Sequence, residues 1–180
     1  DGTNLAKKED VVVVSVNHRL NIFGFLHLAG VGGAKWAQST NVGVQDLVAA
    51  LQWVHDNIAS FGGDPGRVTI FGQSGGGGKT TTVMAMPSAR GLFHRSIAQS
   101  GSAIRGQTAD DASEGGGGCL AKLGILKYQL DRIQQIDWRE IQAAFYGEPR
   151  VGRLGNGRVI DGTIIPRQPW DPTAPAYPAN

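Results

Sequence analysis

Val68-Thr69-Ile70-Phe71-Gly72-Gln73-Ser74-Gly75-Gly76 is the stretch on which the reading of this chain turns. Val68 to Phe71, rich in β-branched and aromatic side chains, reads as a short buried strand. Gly72 then begins a sharp turn into a segment running from Gly77 towards Met86, which Pro87 ends. Gly72 to Gly76 fits the pattern Gly-x-Ser-x-Gly, in which a strand turns into a helix so abruptly that only glycine tolerates the crowding beside the serine. Such a turn lifts the Ser74 hydroxyl clear of the sheet. The helix N-terminus behind it carries positive partial charge, and the N–H of Gly75 points where an oxyanion forms during acyl transfer.

Upstream, Val11 to Val16 is a continuous apolar run with polar flanks, the pattern of a strand buried on both faces of a largely parallel sheet. Asn17 to Thr40 is punctuated by glycine and reads as a long irregular connection. From Val44 to Ala59, Leu47, Val48, Leu51, Val54 and Ile58 recur at helical spacing, and Gly62-Gly63 before Asp64-Pro65 stops the helix. Strand, helix, strand, tight turn and helix make a βαβ unit whose loop lies at the carboxyl end of a strand, where open parallel sheets place their sites. Downstream, Ser96 to Gln99 reads as a further strand and Ala109 to Leu123 as a helix. The run Gly115 to Gly118 weakens that helix by about 1 kcal/mol per glycine relative to alanine, so fraying or a kink is expected. Asp137 with Glu140 starts a helix through Phe145 in the manner of a capping box. After Gly155 the chain is rich in proline and turns, Asp161-Gly162 reads as a hairpin turn, and the last ten residues read as a cut connection.

Composition narrows the classes. The chain has 180 residues, 41% of them hydrophobic, enough for one core. Its formal charge of +2 is spread along the chain, which offers no footprint for nucleic acid or an anionic membrane surface. No run reaches the roughly 18 apolar residues of a bilayer span. Cys119, the single cysteine, excludes an internal disulfide. The chain opens on Asp1-Gly2-Thr3 without an initiator methionine, as a truncated product would.

A rival reading takes Gln73-Ser74-Gly75-Gly76-Gly77-Gly78-Lys79-Thr80 as a phosphate-binding P-loop. Its first glycine is replaced by glutamine, and no later apolar run ends in an aspartate to hold Mg²⁺.

Outward from Ser74, several motifs resemble, in order and spacing, the type-B carboxylesterase family, which includes bacterial p-nitrobenzyl esterases and the cholinesterases. They are Asn17-His18-Arg19-Leu20, Phe23-Gly24-Phe25-Leu26, Asn41-Val42-Gly43, Asp46, Trp53-Val54 and Asn57-Ile58. Phe61-Gly62-Gly63-Asp64-Pro65, Val68 to Gly72, and Gln99-Ser100-Gly101-Ser102 belong to the same series, and Gly157 to Gly162 resembles a later family segment. The resemblance implies an α/β-hydrolase fold, here partial, with a mostly parallel central sheet and flanking helices. It also implies hydrolysis of a small-molecule carboxylic ester through an acyl-enzyme, without metal or organic cofactor. Ser74 falls on the nucleophile, and Gly75 on the oxyanion-hole donor, where alanine is more usual. His18 replaces a common tyrosine, Leu47 a common glutamine, and Gly115 to Gly118 stand where helix formers are usual. The family's His-Gly-Gly oxyanion loop would precede Asp1, and its acid and histidine would follow Asn180. Residues 1–180 are therefore expected to be a fragment of a single catalytic domain, inactive alone. The same fold also serves as a non-catalytic interaction module, the other reading of such a chain.

The chain's own residues do not complete the order serine, acid, histidine. His94 is the only histidine after Ser74, and no Asp or Glu lies from Gly75 to Phe93. His18, His27, His55 and His94 are read as structural, with His55 packed at the edge of its helix. Lys79 is expected to face solvent, Trp53 to be core, and Asp64 to be a turn residue. Asn41 and Asp46 are expected to hold the connection before the long helix.

Overall fold

The computed structural model describes residues 2–101, 104–146 and 157–174. Ser102, Gly155 and the end of the expected terminal connection lie outside them. The chain starts with α1 (Thr3–Glu9), α2 (Asn21–Phe25), α3 (Ala29–Gly32) and a 3-10 helix at Gly33–Ser39. The stretch from Asn17 to Thr40 is thus largely helical, not irregular. Its buried Ile22, Phe25, Leu26 and Leu28 supply the apolar contacts that hold short helices marginal by themselves.

α4 (Val42–Asn57) follows, as its period requires, and runs into a 3-10 turn at Ile58–Phe61 that ends on Gly62 at φ 81°. Asp64 then accepts a hydrogen bond from the Gly66 N–H (2.8 Å), with Pro65 opening a single turn. β1 (Thr69–Gln73), α5 (Gly75–Ala85) and β2 (Arg95–Gln99) form the βαβ unit. The strands are parallel neighbours, Thr69 opposite Arg95 and Gln73 opposite Gln99. α6 (Ala109–Lys122), a 3-10 stretch at Lys127–Gln135 and α7 (Trp138–Tyr146) complete the helices.

Two apolar clusters lie among these elements. Phe25, Val44, Val83, Met86, Ala89 and Ile165 pack between α4, α5 and the inner face of the strands. Ile22, Leu28, Cys119, Leu120, Ile141 and Phe145 join α2 to α6 and α7. Asn41, fully buried, ties the first cluster to the far end of the chain. Its Nδ2 donates to the Val159 carbonyl and to Asp161 Oδ2 (both 2.9 Å), and its Oδ1 accepts from the Val159 N–H (3.0 Å). Asp46 accepts from the N–H and Nε of Arg19, both at 2.9 Å. Both residues hold the connection before α4.

Several expectations need correction. Val11 to Val16 is in no ladder, and Val11, Val12, Val14 and Val16 are exposed, because no described strand lies beside it. Among the described residues, β1 is covered on one face only. Helices lie on the inner side, while Phe71 (55% exposed) and its cross-strand neighbour Ile97 (52%) face outward. Trp53 is exposed, in tilted contact with Phe61 at 5.6 Å, because it sits about 200° round the helix from Leu51 and the buried stripe. His55 is exposed too and hydrogen-bonds Asp56 Oδ1 at 2.9 Å. α6 is continuous through its glycines. Thr108 caps it by accepting from the Asp111 N–H, and a Cβ at Gly116 would collide with the His27 carbonyl. The glycine there permits a close approach that a side chain would block. Asp161-Gly162 does turn, with the Asp161 carboxylate accepting from the N–H groups of Thr163 (3.0 Å) and Ile165 (2.9 Å), but no strands flank it.

Candidate active site

Ser74 stands between the last residue of β1 and the first of α5, at φ 55° and ψ −119°. A non-glycine residue at positive φ is held there only when its surroundings fix it. Three contacts do so. The Ser74 N–H donates to the Gln99 carbonyl of β2 (2.8 Å), and its own carbonyl accepts the first helical bond of α5, from the Gly78 N–H (3.0 Å). Gly101, just past β2, lies so close that a Cβ there would collide with the Ser74 carbonyl.

Gly72 explains the motif's leading glycine. A Cβ on it would lie 2.5 Å from the carbonyl carbon of Gly76, the start of the helix folding back over the strand. Gly76 itself has open space where a Cβ would stand. The steric demand of the turn therefore falls on Gly72 and Gly101, and not on the motif's final glycine. Gly101 is visible in the sequence only within a family-like motif, and its steric partner Ser74 lies 27 residues earlier in the chain.

Ser74 is exposed, and its side chain does not cap α5. Helix geometry leaves the N–H groups of Gly75, Gly76 and Gly77 without intrahelical acceptors, so the first turn presents partial positive charge beside the hydroxyl. The arrangement offers an accessible oxygen next to a fixed set of N–H dipoles.

No histidine is bonded to Ser74 among the described residues. His94 Nδ1 accepts from the Val68 N–H (3.2 Å) and pins the start of β1. His27 is buried with Nδ1 2.6 Å from Thr40 Oγ1, and burial pushes its pKa down, with Asp161 opposing the shift. His18 contacts the Arg19 carbonyl and His55 contacts Asp56. None reaches the serine, and His55 is exposed where packing at its helix edge was expected.

Lys79 departs from expectation. It lies one turn below Gly75 and is half-buried, its Nζ 3.4 Å from the Gly75 carbonyl. With glycines at 75 to 78, no side chain covers this side of the helix, and the lysine stem lies back along it. Burial, and then the charge of Arg158, push its pKa down.

The model of the carboxylesterase family matches residues 1–176. The chain belongs to the carboxylesterase family. Para-nitrobenzyl esterase of Bacillus subtilis is 42% identical, over 94% of this chain and 35% of its own length. Cocaine esterase of Homo sapiens is 36% identical, over 98% of the chain and 31% of its own length. A solved carboxylesterase of Geobacillus stearothermophilus superposes with a TM-score of 0.87 at 42% identity, over 94% of this chain and 35% of that one. The chain thus spans about a third of the length of the relatives it matches. Its fold is accordingly the α/β-hydrolase fold in part, a short parallel sheet with helices on one face.

Proposed function

We propose that the protein containing this chain hydrolyses carboxylic esters through an acyl-enzyme on Ser74. Residues 1–180 are read as part of a single catalytic domain. The observation that carries the proposal is the left-handed backbone of Ser74 at the head of α5, held by Gly72, Gly101 and the Gln99 carbonyl. Ser74 Oγ attacks the acyl carbon of a small-molecule ester while a histidine takes its proton. The N–H of Gly75 stabilises the tetrahedral oxyanion, whose collapse expels the alcohol, protonated by that histidine. Water, deprotonated by the same base, then releases the carboxylic acid. The chemistry calls for no metal or organic cofactor.

The histidine, and a carboxylate to orient it, are proposed to come from outside residues 1–180; in support, no described histidine contacts Ser74. The test is p-nitrophenyl acetate hydrolysis by the longest reading frame that contains this chain. Ser74→Ala is expected to lower turnover by on the order of 10⁶-fold. Hydrolysis at full rate in that variant overturns the proposal. Residues 1–180 alone are expected to show no turnover above that of Ser74→Ala.

A further inference from the structure

Resting on the esterase reading, we infer that Lys79 is a positioning residue for that reaction. Its ammonium, set against the first residue after Ser74, stabilises the oxyanion of the tetrahedral intermediate through its field, without touching it. Position, isolation from counter-charge and the stability of the helix each support the assignment.

Lys79 Nζ lies 3.4 Å from the carbonyl of Gly75, the residue bonded to Ser74. Apart from the helix's own backbone and its chain neighbours, a Cβ on Gly75 would meet Lys79 Nζ alone, at 3.6 Å. Gly76, Gly77 and Gly78 carry no side chain to hold the ammonium away from the turn. An ammonium on the Gly75 carbonyl also polarises the peptide that Gly75 shares with Gly76, whose N–H has no intrahelical acceptor. Coulombic attraction falls only as the reciprocal of distance, so it reaches an oxyanion held by the Gly75 N–H without contact.

Among the described residues no carboxylate pairs with Lys79, whose ammonium bonds only that carbonyl. Its charge is therefore not cancelled nearby. Half-burial, the main reason its pKa lies below the ordinary 10.5, also thins the water that would screen it.

This arrangement runs against the stability of α5. A cation lying back over the first turn opposes the helix macrodipole, which favours one at the other end. Gly75 and Gly76, neither of which any steric contact requires to be glycine, each weaken the helix relative to alanine. Local rules broken beside a nucleophile mark a functional demand. In the reaction, Ser74 Oγ bonds the acyl carbon, its proton passes to the histidine, and the carbonyl electron pair moves onto the oxygen. That negative charge is absent from a neutral ester, so Lys79 acts on kcat and not on KM.

The test measures kcat and KM for p-nitrophenyl acetate, a neutral ester, in the longest reading frame containing this chain, together with the melting temperature of each variant. Lys79→Met keeps a stem of similar bulk without the charge, and is expected to lower kcat about tenfold with KM within about twofold. Lys79→Arg, which keeps the charge, is expected to hold kcat within about threefold of wild type, and Lys79→Glu to lose at least about tenfold more than Lys79→Met. Lys127→Met removes an exposed lysine of the 3-10 stretch and is expected to change nothing, which separates local charge from net charge. The melting temperature of Lys79→Met is expected to be no lower than that of wild type, since the helix loses an opposed cation; a merely structural lysine would lower it. Unchanged kcat in Lys79→Met, equal losses in Lys79→Met and Lys79→Arg, or a loss that appears in KM with a lower melting temperature overturns the inference. If Ser74→Ala abolishes hydrolysis while the Lys79 variants keep full kcat, the esterase reading stands and the role of Lys79 falls alone. Hydrolysis at full rate in Ser74→Ala overturns both.

Discussion

At the residue scale the account rests on where a Cβ can stand. Gly72→Ala places a methyl group against the backbone of Gly76, which neither strand nor helix can yield without moving Ser74. The expected cost is about 2 kcal/mol or more, with loss of any activity carried by the serine. Gly76→Ala meets open space, and by removing a helical glycine it is expected to stabilise by up to about 1 kcal/mol. Urea midpoints of the two variants, moving in opposite directions, check the assignment; equal destabilisation contradicts it. The motif made Ser74 and Gly72 readable from sequence, because strand, tight turn and helix follow one another without a gap. Gly101 stood in a family-like motif, but its close approach to Ser74 was not readable. The glycines at 75 to 78 were in plain view, but the half-burial of Lys79 beside the Gly75 carbonyl was not expected from them.

Elements were legible where a local period or stop signal defined them. α4, β1, β2, α6 and α7 fall within a few residues of their expected positions, and Asp137 caps α7 through a 2.8 Å bond from the Arg139 N–H. What sequence could not give was which face of each element finds a neighbour. Val11 to Val16 has a strand's composition, but a strand exists only with a paired partner, and none lies beside it among the described residues. The glycines of α6 misled for the same reason: propensity speaks for fraying, while contact with His27 requires Gly116 to lack a side chain. Gly116→Ala is accordingly expected to destabilise by about 2 kcal/mol. Gly117→Ala, where nothing stands within 4 Å, is expected to stabilise by about 1 kcal/mol. Thermal melts of the pair decide between propensity and packing as the determinant of this helix.

For the whole molecule, two tertiary contacts predict its response to acid. The Arg19 guanidinium holds the Asp46 carboxyl below its ordinary 3.8, principally through their hydrogen bonds. This contribution is fully present above that value and is lost as pH falls through the lower folded one. Burial holds His27 below its ordinary 6.5, so the folded state prefers the neutral ring. Stability is therefore expected to decline first as pH falls below 6.5, when the unfolded chain takes up a proton that the fold resists, and again below about 3.8. His27→Gln is expected to flatten the first decline and Asp46→Asn the second, as read from urea midpoints against pH. An unaltered profile in both would show that neither contact persists in solution. Asn41, bonded to Val159 and Asp161, joins the front of the chain to its last described segment. The outward-facing Phe71 and Ile97 show a sheet with one face covered. That suits a chain spanning about a third of its relatives' length.

The most direct measurement of the central claim is peptide mapping by mass spectrometry after exposing the longest reading frame containing this chain to a fluorophosphonate. A single adduct on the peptide bearing Ser74, absent from Ser74→Ala, is the predicted result. Labelling at another residue, or none on a protein that hydrolyses p-nitrophenyl acetate, would contradict the assignment of Ser74 as nucleophile.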